Sequence, residues 1–225
     1  MIQDQREVRP VSQTDGQIRS SYDRISRWYD LLAGGFERRF SEAARQMLIR
    51  DGEAVILEIG VGSGRAILAL AGSAGPSARL YGMDLSTGML DIARGKVQKA
   101  GLAEQVTLVQ GDARRLPFRQ GFTDRILMSF VLELFDTAEI ALVLSECHRT
   151  LRPKGRICIV AMSKKGRPNP MMKLYEWLHL KLPQYIDCRP IDAQAVLERS
   201  GFHTLAVSLS SLLGLHTEII LSEKT

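Results

Sequence analysis

The spacing of apolar residues changes character near residue 51. Before it, Ile18, Tyr22, Ile25, Tyr29 and Leu32 recur every three or four positions, the period of one helix face, and predict helix over residues 17–50. Gly34-Gly35 interrupts that pattern, so a second helix is expected from Phe36 to Ile49. Residues 1–15 are polar and predict a loosely attached arm. After Asp51, short apolar runs alternate with helix-period stretches. Ala54–Ile59, Arg79–Met83, Val106–Gln110, Thr123–Phe130 and Arg156–Met162 read as strands. Arg65–Ala71, Thr87–Ala100 and Thr137–Thr150 read as helices, and Gly101 stands where a glycine ends one.

Strands alternating with helices in this way imply a mainly parallel sheet covered on both faces. The end of the chain departs from the pattern. A helix over Ile191–Ser200 leads to two apolar runs, Phe202–Ser210 and His216–Ser222, with a break at Leu213–Gly214. So short a connection forces antiparallel pairing, because a parallel crossover needs a dozen or more residues. One reversed strand at the sheet edge is therefore expected. The domain reading is a helical lid over residues 1–50, a main domain over 51–225, and an insertion at 163–190.

Composition narrows the class. A chain of 225 residues, 45% hydrophobic and 24% charged, can bury one large core without cross-links. Cys147, Cys158 and Cys188 are far apart and form no CxxC pair, so neither a zinc site nor a disulfide framework is expected. Met1–Pro10 lacks the apolar core of a secretory leader, and no long apolar run follows, which makes a cytoplasmic location the expectation. The net charge of +5 reads as a solvated surface. It lacks the dense basic stripe that nucleic acid would call for, and it leaves contact with an anionic membrane face open.

Four segments carry chemistry, each at the carboxyl end of an expected strand. Glu58-Ile59-Gly60-Val61-Gly62-Ser63-Gly64 leaves the first strand and opens a helix, where glycines permit a tight turn and free N–H groups meet a polar ligand. Asp84 ends the second strand, where a carboxylate can accept from two ribose hydroxyls or simply precede a helix. Gly111-Asp112-Ala113 follows the third, where Asp112 can meet an adenine amino group or simply form a turn. Ser129-Phe130-Val131-Leu132-Glu133 ends the fourth. Ligands of open α/β sheets sit beyond such ends, at the point where strand order reverses.

Taken in order, these segments resemble the class I S-adenosylmethionine (SAM) dependent methyltransferases. The resemblance implies a Rossmann-like α/β fold, a mostly parallel seven-stranded sheet with helices on both faces and an antiparallel C-terminal hairpin. It implies SAM as cofactor and a small-molecule methyl acceptor as partner. Glu58, Gly60, Gly62 and Gly64 match the loop that wraps the amino-acid part of SAM, Asp84 the ribose acid, and Asp112 the adenine contact. Leu85, Met89, Ala113 and Ser129 are implied beside them. Glu146–Gly155 is similar to the family's element before strand five, with Lys154 in place of a glycine. An NAD fingerprint would instead need glycine at position 65, where Arg65 stands.

Within the family the chain looks closest to quinone-biosynthesis C-methyltransferases and phospholipid N-methyltransferases. Tyr22-Asp23 to Tyr29-Asp30 resembles their helix over SAM, so Tyr22 and Tyr29 join the cofactor candidates. The insertion is apolar at Met171, Met172, Leu174, Tyr175, Trp177 and Leu178 and is flanked by lysines, which suits a greasy pocket, a membrane interface, the core or a second subunit. Should the acceptor need a general base, His179, Glu133 and Tyr175 are the candidates. Two of the three cysteines fall in a helix and a strand, which disfavours thiol-dependent methylation of metalloids. The leading expectation is methyl transfer to a small lipophilic acceptor, a lipid amine or a quinone-like ring. A soluble metabolite N- or O-methyltransferase and a non-catalytic SAM-binding regulator are the alternatives.

Overall fold

The computed structural model describes Ala44 and residues 54–164, 190–212 and 215–225. The expected helices over 17–50 and most of the insertion lie outside these residues. Among them, seven strands form one sheet in the order β3-β2-β1-β4-β5-β7-β6. The strands are β1 Val55–Ile59, β2 Arg79–Asp84, β3 Val106–Gln110, β4 Thr123–Ser129, β5 Leu151–Met162, β6 Phe202–Leu212 and β7 Leu215–Lys224. The helices are α1 Arg65–Ala74, α2 Thr87–Lys99, α3 Thr137–Thr150 and α4 Ala193–Arg199.

β1 to β5 run parallel to one another, and β7 runs antiparallel to both β5 and β6. The reversed strand therefore lies one place in from the edge, because the hairpin pairs its second strand with β5 and leaves its first outside. β5 begins five residues earlier than the apolar pattern suggests, at Leu151. That first stretch is largely exposed, so it carries no hydrophobic signal, and a register shift between Thr123 and Arg125 accommodates it.

Alternate residues of each buried strand serve two cores. Ile56, Leu127, Cys158, Val160 and Ile219 pack with Ala66, Ile67, Leu70 and Leu90 of α1 and α2. Leu57, Ile59, Ile126, Met128, Ile157 and Ile220 pack with Ile140, Leu144, Ala193 and Leu197 of α3 and α4. Two-sided burial explains why these strands read as continuous apolar runs rather than alternating ones. It also fixes their register, since a one-residue slip would exchange the two faces.

The topology locates the site. β1 is flanked by β2 on one side and β4 on the other, so the chain's winding reverses between β1 and β4. The crevice at that switch point lies beyond the carboxyl ends of β1, β2, β3 and β4, where all four sequence segments sit.

Candidate active site

The turn after β1 is built from backbone groups. The N–H groups of Gly60 and Val61 both donate to the Met83 carbonyl, at 2.7 and 3.0 Å, which lays the turn across the end of β2. The N–H of Gly62 donates to Asp84 Oδ2 at 2.8 Å, and Ser86 N–H donates to Asp84 Oδ1 at 2.9 Å. Asp84 is thus a brace between the glycine turn and the start of α2. Ser86, not Asp84, caps α2, accepting from Met89 N–H at 3.1 Å. The helix-start alternative for Asp84 is met by its neighbour two residues on.

The three glycines are present for different reasons. A Cβ on Gly60 would stand 2.2 Å from Val131 Cγ2, and one on Gly64 would stand 2.9 Å from Ala93 Cβ. Both positions are closed by the protein's own packing. A Cβ on Gly62 would meet nothing within 4 Å, and its φ of 50° lies in the left-handed region. Of the three, Gly62 is the one with open space where a side chain would stand.

Glu58, at the end of β1, is 2% exposed. Leu85 is half-buried, while Met89 and Ala113 are enclosed, at 1% and 6% exposed. Ser129 is half-buried at the end of β4, paired with Val160. The next residue, Phe130, has φ of 56° although it is not glycine, and its N–H donates to the Val160 carbonyl at 2.8 Å. That left-handed step costs of order 1–3 kcal/mol and swings Val131 over Gly60. A 3-10 turn, Leu132–Leu134, follows. Within it the Glu133 carboxylate is fully enclosed, and its Oε1 accepts from Met162 N–H at 3.2 Å.

The loop after β3 is built from side-chain charge. Arg114 Nε donates to Asp112 Oδ1 and Oδ2 at 3.1 and 3.0 Å, and Nη2 donates to Oδ2 at 2.6 Å. These hydrogen bonds from Arg114 hold the Asp112 carboxyl below its ordinary 3.8, against a smaller opposing effect of burial. Farther along, Glu146 and Arg149 of α3 clamp the same loop. Leu116 N–H donates to Glu146 Oε2 at 2.8 Å, and Arg149 Nη1 donates to the Phe118 carbonyl at 2.8 Å. This gives a physical reason for Glu146 and Arg149 in the segment read as a family element. Lys154, the residue in place of glycine there, sits at φ of 62°.

The structure thus brings Glu58, Gly60, Gly62, Gly64, Asp84, Leu85, Asp112, Ala113, Ser129 and Glu133 to one end of the sheet. Tyr22, Tyr29, Tyr175 and His179 lie outside the described residues, as does Cys188. Burial pushes the thiols of Cys147 and Cys158 up to about 12, so neither is a nucleophile at neutral pH. Sequence reasoning placed Phe130 and Val131 in a strand-end segment but gave neither them nor Arg114 a role. A valine or phenylalanine after a strand carries no signal of backbone handedness, and an arginine beside an aspartate looks like any surface pair.

The family model for a methyltransferase domain matches residues 56–155. A demethylmenaquinone methyltransferase of Symbiobacterium thermophilum is 32% identical over 188 residues, covering 77% of this chain and 74% of that protein. The ubiquinone/menaquinone biosynthesis C-methyltransferase UbiE of Ectopseudomonas mendocina is 30% identical over 172 residues, covering 74% of this chain and 66% of its own length. Among solved structures, the [4+2]-cyclase SpnF superposes with a TM-score of 0.77 at 18% identity, over 96% of this chain and 97% of that one. A likeness at that identity shows the fold alone, and the cyclase named there illustrates that one fold hosts several chemistries. On the closer sequence kinship, this chain belongs to the class I SAM-dependent methyltransferases and resembles their quinone-biosynthesis C-methyltransferases.

Proposed function

We propose that this enzyme transfers the methyl group of SAM to a ring carbon of a reduced quinone-like acceptor. The observation that carries the acceptor is the kinship with the demethylmenaquinone methyltransferase, which spans about three quarters of both chains. The lipid amine of the sequence reading has no comparable support.

The crevice at the strand ends fits the cofactor. Gly62 offers a bare backbone facing open space, so a ligand can approach where any Cβ would stand. In this reading the turn from Glu58 to Gly64 holds the amino-acid part, Asp84 accepts from the ribose hydroxyls, and Asp112 accepts from the adenine amino group. Gly62 N–H and Ser86 N–H each hold one Asp84 oxygen, which fixes the carboxylate at the mouth of the glycine turn. Leu85, Met89, Ala113 and Ser129 shape the walls, and Tyr22 and Tyr29 belong to a helical lid over residues 1–50.

When bound, SAM supplies an electrophilic methyl on a sulfonium. The chain's own residues supply alignment and exclusion of water. An ionised hydroxyl of a hydroquinone already raises electron density at the ring carbon, so the demand on a protein base is small. Glu133, enclosed and bonded to Met162 N–H, suits a post that shapes the acceptor side better than a base in contact with solvent. The apolar, lysine-flanked stretch between 163 and 190 suits an acceptor with a hydrocarbon tail, met at a membrane surface.

The test is isotope transfer from methyl-labelled SAM. Purified protein is incubated with reduced demethylmenaquinone and, in parallel, with a polar-metabolite extract. Label in the quinone ring is expected. Label only in polar products would overturn the acceptor and favour a soluble metabolite methyltransferase. Deleting residues 1–30 should lower turnover while the melting transition persists, and full activity would remove the lid.

A further inference from the structure

Asp112 does not stand alone, and what holds it reaches another helix. Three donors of Arg114 meet its carboxylate: the backbone N–H at 2.8 Å to Oδ1, Nε to both oxygens, and Nη2 at 2.6 Å to Oδ2. The remaining arm turns away, and Arg114 Nη1 donates to Glu139 Oε1 at 2.6 Å. Glu139 is itself fixed. Its Oε2 accepts from Asp136 N–H at 3.1 Å, which completes the capping box at the start of α3. The guanidinium side chain is 23% exposed, against 35% for Asp112 and 31% for Glu139, so the cation is the most enclosed of the three.

We propose that Arg114 is a positioning residue for cofactor selection, holding the Asp112 carboxylate in one plane against α3 so that it accepts a single amino donor from the bound base. This rests on the reading of Asp112 as the adenine-side acceptor and adds how its selectivity is set. A carboxylate offers about four acceptor positions. Three N–H donors of Arg114 meet them in four contacts, two on each oxygen, and the single Nε–H is shared between both oxygens, so a ligand's donor has only that shared position to take over. A 6-amino group can donate there, whereas a 6-oxo group would bring an oxygen lone pair against the carboxylate. Only the planar fork of arginine can grip both Asp112 oxygens and still reach Glu139, since a lysine ammonium is a point charge on a flexible stem. The lowered pKa of Asp112 agrees with this, because the ion pair keeps the acceptor ionised.

The test compares binding of S-adenosylhomocysteine and its inosine counterpart to the full chain by isothermal titration. The wild type should prefer the adenine form. Arg114→Met should lose about tenfold of that preference, mainly through weaker binding of the adenine form, and Arg114→Lys should lose part of it with its melting temperature held. Glu139→Gln keeps the capping box, because glutamine also serves there, and should lose a smaller part. If Asp112→Asn abolishes the preference while Arg114→Lys and Glu139→Gln retain it in full, Arg114 is a structural brace only and the proposal is overturned. If Asp112→Asn also retains it, the reading of Asp112 itself has failed, and the proposal falls with it for that separate reason.

Discussion

β2 ends on one aspartate and the loop after β3 carries another, yet the two are held by different physics. Asp84 is gripped by two backbone N–H groups of adjoining turns, at 2.8 and 2.9 Å. Asp112 is gripped by a guanidinium that is itself paired with Glu139. Backbone donors are fixed by the fold and barely sense salt or pH. A side-chain ion pair that is partly exposed senses both. The difference teaches that two carboxylates in one crevice can serve one ligand with unequal tolerance to change, and the contrast can be broken at several points.

The largest effect is expected where the backbone-built side has no room. Gly60→Ala places a Cβ within 2.2 Å of Val131 Cγ2 at a φ of 72°. It should cost about 3 kcal/mol of stability, measured by urea denaturation. A loss below about 1 kcal/mol would show that Val131 yields freely. Gly62→Ala meets open space and carries only the left-handed strain, about 1 kcal/mol. It should nonetheless weaken SAM binding more than Gly60's packing role would suggest, because the new methyl enters the crevice. Undiminished affinity in a folded Gly62→Ala protein would mean that the ligand does not approach that backbone.

On the charge-built side the expected signature is a pH window. The Asp112 carboxyl is held below its ordinary 3.8 mainly by the side-chain hydrogen bond from Arg114. A depressed native pKa adds stability that is present above the unfolded value and is lost as pH falls through the native one. The urea midpoint of the wild type should therefore exceed that of Asp112→Asn at neutral pH, and the gap should close as the solution is acidified below about pH 4. High salt should narrow it as well. A gap unchanged in strong acid would contradict the ion-pair account.

The smallest effect lies outside both loops. Lys154 adopts φ of 62° with its ammonium 3.7 Å from Glu223 Oε1 and its side chain 79% exposed. Lys154→Gly should raise stability by about 0.5–1 kcal/mol, since relief of left-handed strain outweighs a weak surface pair. A less stable variant would show that the pair matters more than the strain.

Much of this was legible in the chain. The central strands announced themselves because both faces are buried, so they carry dense apolar stretches such as Ile157–Met162. The glycine spacing and the two aspartates were readable because a tight turn and a strand-end acid need those residue types. What was not legible was partnership. Nothing in the letters says that Asp84 binds Gly62 N–H while Asp112 binds Arg114, because those choices depend on where neighbouring loops lie in space. The early start of β5 was hidden for a related reason: its first residues are largely exposed and carry no pattern. The place of β7 inside the edge was hidden because a hairpin's short turn fixes antiparallel pairing but not which arm meets β5.

The most direct measurement is titration of SAM into the wild type and into Asp84→Ala, each checked for a cooperative melting transition. SAM should bind the wild type, and the variant should bind about 1–3 kcal/mol more weakly, the scale of losing hydrogen bonds to a charged acceptor. Equal affinity in two folded proteins would contradict the crevice between β1 and β4 as the seat of the cofactor.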